Sequence, residues 1–493
     1  MKKILLYGLF LFVTCGSLSS QTVNGLLYAD TMGIRVYKIW GTHQERGYAQ
    51  GYLTGDKITD MILNYIKPQF AAYYSSARNI IIQGTDVVIP QGYKDEAQGI
   101  IDGMEAAGTN TGNLDQTDIL LSNSFLDVSN LLFKGGGNGC SSLMSWGDAT
   151  SGSDLDGQSV LTRHMDWNIS PVLTRNHTII VQFPSEINED KWLEIGFSGM
   201  MSALSGMNNA FGAVQHMMSD LTVFGQHNKH YTPIWFALRN ALESTDYNND
   251  GNRDVQDVRS ALLDCQTGFA NGYLVAAVGK NSSNDTLAAM VAELAPVAPI
   301  HTFRYNTYPD SIPGDNLYVA NEQIARNNAM NFSARYNNVR SHIGAGTMMG
   351  LDASWNLMKN YSHQSTNIQF MQYSPEHNYL RVAVYRDNKP AYQNDPVVFD
   401  LDDLFSPVVS IPEHDKTVGL VIYPNPVLDR LMISGIVPGT YTVEISDITG
   451  KTVIETSLNM PSAGLDLFSL RKGYYTIRLT GREEVVNGKF LKN

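Results

Sequence analysis

The sequence predicts an α+β protein: a helical leader, a strand-rich layered body and a small all-β tail. Three observations carry this. Helical hydrophobic spacing dominates the stretches at 42–67, 93–107 and 115–133. From residue 140 onward, runs rich in Val, Ile, Leu and Ala alternate with helical patterns, as in sheets covered by helices. Beyond residue 418 the pattern changes to period two with turn residues between the runs, the mark of a small β-sandwich. At 493 residues the chain exceeds what one hydrophobic core organises, so more than one domain is expected.

The elements follow in chain order. Lys2 and Lys3 precede the apolar run Ile4 to Val13 and then small residues up to Ser20, which reads as a secretory signal peptide over 1–20. Cys15 invites a lipid-anchor reading, but Phe12-Val-Thr14 is a poor context for it. No later apolar run is long enough to span a bilayer. Residues 22–38 read as strands. The segment Thr42 to Gly55 opens a helix expected to end near Lys67, ahead of Pro68, and its glycines at 47, 51 and 55 form a close-packing face. After Cys140, strands are expected at 158–163, 177–183, 191–197, 211–218, 272–279, 286–294, 316–320 and 379–386. Helices are expected at 232–243, 255–265, 322–331 and 351–360. Ser406 to Lys416 has linker composition.

Charge and cysteine usage narrow the function. A formal charge of −13, with basic residues scattered, leaves no footprint for nucleic acid or an anionic membrane. Without the signal, only Cys140 and Cys265 remain, too few for a disulfide scaffold. Cys265 sits in a helical pattern and reads as a small core residue.

Cys140 ends a glycine-rich run, Gly135-Gly-Gly-Asn-Gly139, and the β-type run Val160-Leu-Thr162 then delivers Arg163 and Asp166. A thiol needs a base and a cationic neighbour to act as a nucleophile at neutral pH. Cutting the Gly139–Cys140 bond would free an α-amine with a pKa of about 8, within reach of its own thiol. Arg163 would favour the thiolate and Asp166 would hold the amine. An acyl-transfer site also needs donors for the oxyanion, and Gly206-Met-Asn208-Asn209-Ala-Phe-Gly212 offers two amides. The alternatives are a buried structural cysteine, an ordinary Arg163–Asp166 ion pair, asparagines that only shape a turn, and His164 as a conventional base.

These residues resemble the N-terminal-nucleophile hydrolases of linear amides, above all the autoproteolytic penicillin acyltransferase type, with bile salt hydrolases and acid ceramidases as more distant relatives. The resemblance rests on Cys140-Ser-Ser142, Arg163-His-Met-Asp166, the 206–212 segment, Ala320-Asn321-Glu322, Ser333-Ala-Arg335-Tyr336 and Glu45-Arg-Gly-Tyr-Ala-Gln-Gly51, and spans roughly residues 25–390. It departs from the pattern where Thr162 replaces a usual glycine, His164 a usual asparagine, and both flanks of Asn321 differ. It implies a four-layer αββα sandwich, with 21–139 as a separate chain after self-cleavage and 140–405 as the catalytic chain. It further implies that Cys140 attacks an amide carbonyl, that Asn208 or Asn209 with Asn321 holds the oxyanion, and that Arg335 shapes the pocket or its electrostatics. The substrate is then a small-molecule amide, with no organic cofactor.

Two more segments carry signals. Asp246, Asn248, Asp250, Asn252, Asp254 and Asp257, with Gly251 at the sharp turn, match the spacing of a twelve-residue calcium loop, and its closing aspartate resembles dockerin-type loops. A structural Ca2+ is expected there, against the alternative of a solvated acidic loop. The tail at 418–493 resembles the sorting domain of type IX-secreted bacterial proteins in Tyr423-Pro-Asn-Pro426, Asp447-Ile-Thr-Gly-Lys451, Leu470-Arg-Lys-Gly-Tyr-Tyr475 and Gly488-Lys-Phe-Leu-Lys492. This implies the type IX machinery as a partner, export to the cell surface or beyond, and 406–417 as the linker. The rival to an amide hydrolase is a catalytically decayed, calcium-dependent surface-binding protein on the same scaffold.

Overall fold

The computed structural model describes residues 21–132, 139–217, 230–281, 287–326, 332–407, 421–423, 425–434, 439–447, 450–460, 463–481 and 485–492. The expected signal peptide, the glycines at 135–137 and most of the expected linker lie outside them. The chain divides into two compact units, Met1–Pro407 and Val408–Asn493.

In the first unit the strands are β1 (Gly25–Thr31), β2 (Ile34–Gly41), β3 (Cys140–Ser145), β4 (Val160–Asp166), β5 (His177–Pro184), β6 (Trp192–Phe197), β7 (Ser205–Met207) and β8 (Phe211–Met217). They continue with β9 (Tyr273–Gly279), β10 (Ala289–Leu294), β11 (His301–Arg304), β12 (Asn316–Val319), β13 (Asn367–Ser374), β14 (Tyr379–Val384) and β15 (Val397–Asp400). A nine-stranded sheet runs β1-β2-β5-β6-β7-β8-β9-β10-β11, and a six-stranded sheet runs β12-β3-β4-β13-β14-β15. The longer helices are α1 (His43–Met61), α2 (Tyr74–Gln83), α3 (Gln91–Ala106), α4 (Gln116–Asn123), α5 (Phe125–Leu132), α6 (Ile234–Glu243), α7 (Val255–Leu263), α8 (Ala334–Arg340) and α9 (Leu351–Tyr361).

Strand alternation sorts the side chains into layers. In β9, Leu274, Ala276 and Val278 join one apolar cluster with Met144, Leu161 and Met371 of the six-stranded sheet, so the two sheets share a core. The other face of β9, Tyr273, Val275 and Ala277, meets Leu238 and Ala241 of α6 and Val258 of α7. Beyond the six-stranded sheet, Leu143, Tyr318 and Phe370 pack with Tyr336 and Val339 of α8 and Trp355 and Met358 of α9. The unit is a mixed α/β fold, its sheets packed together and helices on their outer faces.

Helix α1 starts at a capping box, with the Thr42 side chain accepting from the Glu45 amide and the Glu45 carboxylate accepting from the Thr42 amide. Its glycines do form the expected packing face: a Cβ on Gly47 would stand 2.0 Å from the Glu96 carbonyl oxygen of α3, and one on Gly51 1.9 Å from that of Ile100. The helical path does not stop ahead of Pro68. It passes through a π-helical turn, Ile62–Ile66, and one more α turn, Lys67–Phe70. Pro68 falls in the first turn of that segment, where a missing N–H is tolerated.

The helix expected at 322–331 is absent over its described part, 322–326. There the buried Glu293 carboxylate accepts from the Ile324, Ala325 and Arg326 amides and substitutes for helical partners. The expected stretch at 115–133 is two helices, broken at Ser124.

In the second unit, β16 (Val421–Tyr423), β17 (Arg430–Ser434) and β20 (Ala463–Asp466) form one sheet. The other holds β18 (Gly439–Asp447), β19 (Thr452–Met460), β21 (Gly473–Thr480) and β22 (Val485–Lys492). Tyr441, Val443 and Ile445 of β18 and Tyr475, Ile477 and Leu479 of its neighbour β21 join one apolar cluster from the same sheet, as the period-two pattern requires.

Candidate active site

Cys140 is the first residue of β3 and pairs with Met165 of β4, and Ser142 pairs with Arg163. Alternation sends Leu161, Arg163 and Met165 toward the nine-stranded sheet, and Thr162, His164 and Asp166 toward α8 and α9. The Cys140 side chain lies on the first side, buried, and opens on a cavity of about 80 Å3. The π turn of 62–66 contributes Ile62, Tyr65 and Ile66 to its wall, with Trp167, Phe197, Met200, Met217 and Trp235 opposite.

Arg163 is fully buried beside the thiol, its Nη2 3.8 Å from Cys140 Sγ. It is held by donating to Ser205 Oγ at 2.7 Å and to the Gln215 carbonyl at 3.0 Å. Burial pushes the Cys140 thiol above its usual pKa, and the Arg163 charge works in the opposite direction. A raised value favours the protonated thiol, so a nucleophilic role for it would require a base.

Three further groups meet Gly139, the residue before Cys140: the Asp166 amide, Asn321 and Arg335. The Asp166 amide donates to the Gly139 carbonyl at 3.1 Å. The Asp166 carboxylate accepts from Arg335 Nη2 at 2.6 Å and from Asn367 Nδ2 at 3.1 Å. Burial lifts the Asp166 carboxyl above its ordinary range, opposed by Arg335. Asn321 lies beyond the end of β12, next to β3, and donates to the Met217 carbonyl at 2.6 Å. A Cβ on Gly139 would stand 2.1 Å from Asn321 Oδ1 and 3.3 Å from Arg335 Nη1, so only glycine fits there without displacing them.

Cys140, Arg163, Asp166, Asn321 and Arg335 are thus brought together. Asn208 and Asn209 are not. They form the turn before β8, whose far end, Met217, lines the cavity. β8 spans seven residues, roughly 20 Å of extended chain. Asn208 accepts from the Ala210 and Phe211 amides and donates to the Leu242 carbonyl, and Asn209 is exposed. These asparagines shape a turn, and the expectation of an oxyanion role for them is corrected.

Two alternatives also lose ground. Arg163 and Asp166 do not pair with each other, since β4 directs them to opposite faces and Asp166 pairs with Arg335. His164 stacks on Phe370 with centroids 4.1 Å apart, has its Nε2 3.1 Å from the Met358 carbonyl oxygen, and burial drives its pKa down to about 3. It points away from the thiol. Cys265 is buried at the end of α7 and not bonded to Cys140.

Sequence reasoning missed Tyr65, Trp167, Ser198 and Gln215, which line the cavity beside Cys140. Trp167 directly follows Asp166, a signal that could have been read. Tyr65 and Gln215 stand in segments whose pattern reports only helix or strand, and Ser198 stands in the turn after β6.

The 246–257 loop closes on itself as its spacing implies. Asp246 accepts from the Asp250 and Gly251 amides, Asp250 accepts from the Asn252 amide, and Gly251 has φ +88°. Asp254 caps α7, and its carboxyl is raised first by burial and then by the charges of Asp250 and Asp246. Asp246, Asn248 and Asp250 are the residues whose hard oxygen donors could hold a divalent cation. Asp257 instead accepts from the Tyr247, Asn248 and Asp254 amides. Asn252 is exposed.

Residues 421–493 match the family described as the secretion system C-terminal sorting domain. The tail is a type IX sorting domain, which directs the protein to the cell surface or the extracellular space. No helix among the described residues is long and apolar enough to cross a membrane. The chain is also similar to "Protein dcd1B" of Dictyostelium discoideum, 22% identical over 292 residues, which cover 54% of this chain and 52% of that protein. The chain spans about half the length of that curated relative. A solved structure of PorZ, a surface component of the type IX secretion system of Porphyromonas gingivalis, is 18% identical, covering 24% of this chain and 15% of its own at a TM-score of 0.14.

Proposed function

We propose that the chain is an exported, self-cleaving cysteine hydrolase or acyltransferase of linear, non-peptide amides, built on a four-layer αββα sandwich of the N-terminal-nucleophile type. One observation carries this reading: a buried thiol beside Arg163 faces an apolar cavity, directly after a glycine whose carbonyl is held by the Asp166 amide. In maturation, Cys140 Sγ adds to the Gly139 carbonyl carbon. The C–N bond breaks as the thiol proton passes to the Cys140 nitrogen, leaving a thioester and a free amine. Water then hydrolyses the thioester, releasing the Gly139 carboxylate and restoring the thiol.

In turnover the Cys140 amine takes the thiol proton, and the thiolate adds to the substrate carbonyl. The oxyanion role falls to Asn321, whose amide nitrogen keeps a second N–H beside the one bonded to the Met217 carbonyl. The resulting ammonium returns the proton to the leaving amine, and water or an acceptor amine cleaves the thioester. Arg163 favours the thiolate, while Asp166, held by Arg335, positions the new α-amine. A panel of acyl amides tests this: the wild-type enzyme yields a thioester adduct by mass, and Cys140→Ala yields none and no hydrolysis. Equal hydrolysis by Cys140→Ala contradicts the mechanism.

We further propose that the 246–257 loop binds a structural Ca2+ through Asp246, Asn248, Asp250 and Asp254, with Asn252 contributing its backbone carbonyl and Asp257 closing the loop. The folding of the loop, in which Asp246 and Asn248 side-chain oxygens both meet the Asp250 amide, supports it. The same loop supports the second reading, a decayed surface-binding protein. That reading requires a chain that stays uncut and turns over no amide.

A further inference from the structure

The cavity next to Cys140 contains polar groups that its apolar wall does not explain. Ser198 Oγ is buried and meets no hydrogen-bond partner among the described residues, although Ser198 lines the cavity. Tyr65 Oη accepts from Trp167 Nε1 at 2.6 Å, which orients the phenol and leaves its own proton to donate. Tyr65 stands on the π-helical turn Ile62–Ile66, an arrangement that recurs at functional sites because the inserted residue re-aims a side chain.

The rest of the wall sets limits on the ligand. Among the described residues no charged side chain lines the cavity, so a charged acyl group would find no counter-charge from them. Its volume of about 80 Å3 is below the roughly 150 Å3 of a cavity that accepts benzene, which favours a short or slender chain. Met61, Met165, Met200 and Met217 give the wall some adaptability. A hydroxyl with no partner in such surroundings is unfavourable unless a ligand atom meets it.

We propose that this cavity is the acyl subsite, and that it selects a short, uncharged hydrocarbon acyl group carrying one hydroxyl or oxo oxygen, recognised by Ser198 and Tyr65. The proposal rests on the amide-hydrolase reading above. A ligand hydroxyl would accept from Tyr65 Oη and donate to Ser198 Oγ. An oxo oxygen would accept from both.

Calorimetry on the full chain carrying Cys140→Ala tests it, because binding is then read without turnover. The probes are N-butyl hexanamide, its hydroxy and oxo derivatives at each chain position, and the derivative ending in a carboxylate. At least one oxygenated amide is expected to bind about tenfold tighter than the plain one, since a site built to hydrogen-bond a ligand rejects the analogue lacking that group. The carboxylate should bind more weakly than the plain amide. Ser198→Ala and Tyr65→Phe, each added separately, should shrink the oxygen's advantage to about twofold or less. The proposal is overturned if no probe binds, if the plain amide binds as well as every oxygenated one, or if the advantage survives both substitutions. Failure of the hydrolase reading shows differently: a wild-type chain that stays uncut and hydrolyses no amide, whatever the cavity binds.

Discussion

The Asp166 amide donates to the Gly139 carbonyl at 3.1 Å, the first rung of the ladder between β3 and β4. An ordinary strand contact thereby holds the carbonyl that the Cys140 thiol would attack. Charge developing on its oxygen would meet a fixed donor, at no cost of reorganisation. Arg335 and Asn321 crowd the same glycine, so fold and chemistry share these contacts.

Asn321 and Asn208 should separate cleanly in kcat. Asn321→Ala is expected to lower kcat by about 10²–10³, the usual loss of one oxyanion donor, and to cost about 1–3 kcal/mol of stability because the buried Met217 carbonyl loses its partner. Asn208→Ala should leave kcat within about twofold but destabilise the fold by about 1–3 kcal/mol, because it unpairs buried turn amides. Steady-state kinetics and denaturant melts on both variants check this, and a reversed pattern would restore the role the sequence suggested for Asn208.

Arg163→Gln should raise the pH midpoint of Cys140 alkylation in the mature enzyme by about 1–3 units, the usual effect of losing an adjacent opposite charge. Arg163→Lys should recover part of the shift. An unmoved midpoint would exclude Arg163 from the thiol's electrostatics, despite the 3.8 Å contact.

These cases show what the residues themselves disclose. The clustering of Cys140 with Arg163 and Asp166 was legible because their spacing in β3 and β4 is local. The asparagines were misread because a glycine-flanked amide looks the same at either end of a strand, and only the pairing of β7 with β8 decides which end is near the thiol. Strand β13, central in its sheet, escaped notice because Asn367, Gln369 and Gln372 interrupt its apolar pattern. Those amides are buried and bonded, Gln372 to Thr162 and Ser354, and Asn367 to Asp166. Hydropathy cannot distinguish a satisfied buried amide from a solvated one.

A pH effect is expected away from the thiol. Burial opposes the charge on His43, but hydrogen bonds with Glu189 and Glu96 outweigh it and raise its pKa from 6.5 to about 9. A raised folded-state value means that its stabilisation is complete below about pH 6.5 and disappears as pH rises through about 9. The difference corresponds to about 3 kcal/mol at 1.36 kcal/mol per unit. His43→Gln should therefore melt well below wild type at pH 6 and close to it at pH 10. A gap that stays constant with pH would contradict the ion-pair assignment.

Calcium should act on stability, with little direct effect on the thiol. The full chain is expected to melt higher with calcium than with chelator, by about 2.7 kcal/mol when calcium is at a hundred times Kd. Asp250→Ala should abolish the response. An identical melting temperature with and without chelator would reduce the loop to a solvated turn.

The most direct measurement is the intact mass of the purified protein, with N-terminal sequencing of any fragment. Wild type is expected to contain a break between Gly139 and Cys140, with Cys140 carrying a free α-amine, while Cys140→Ala remains one chain at that position. A wild-type enzyme that turns over amides at full rate with that peptide bond unbroken would contradict the account, because its base would never have been released.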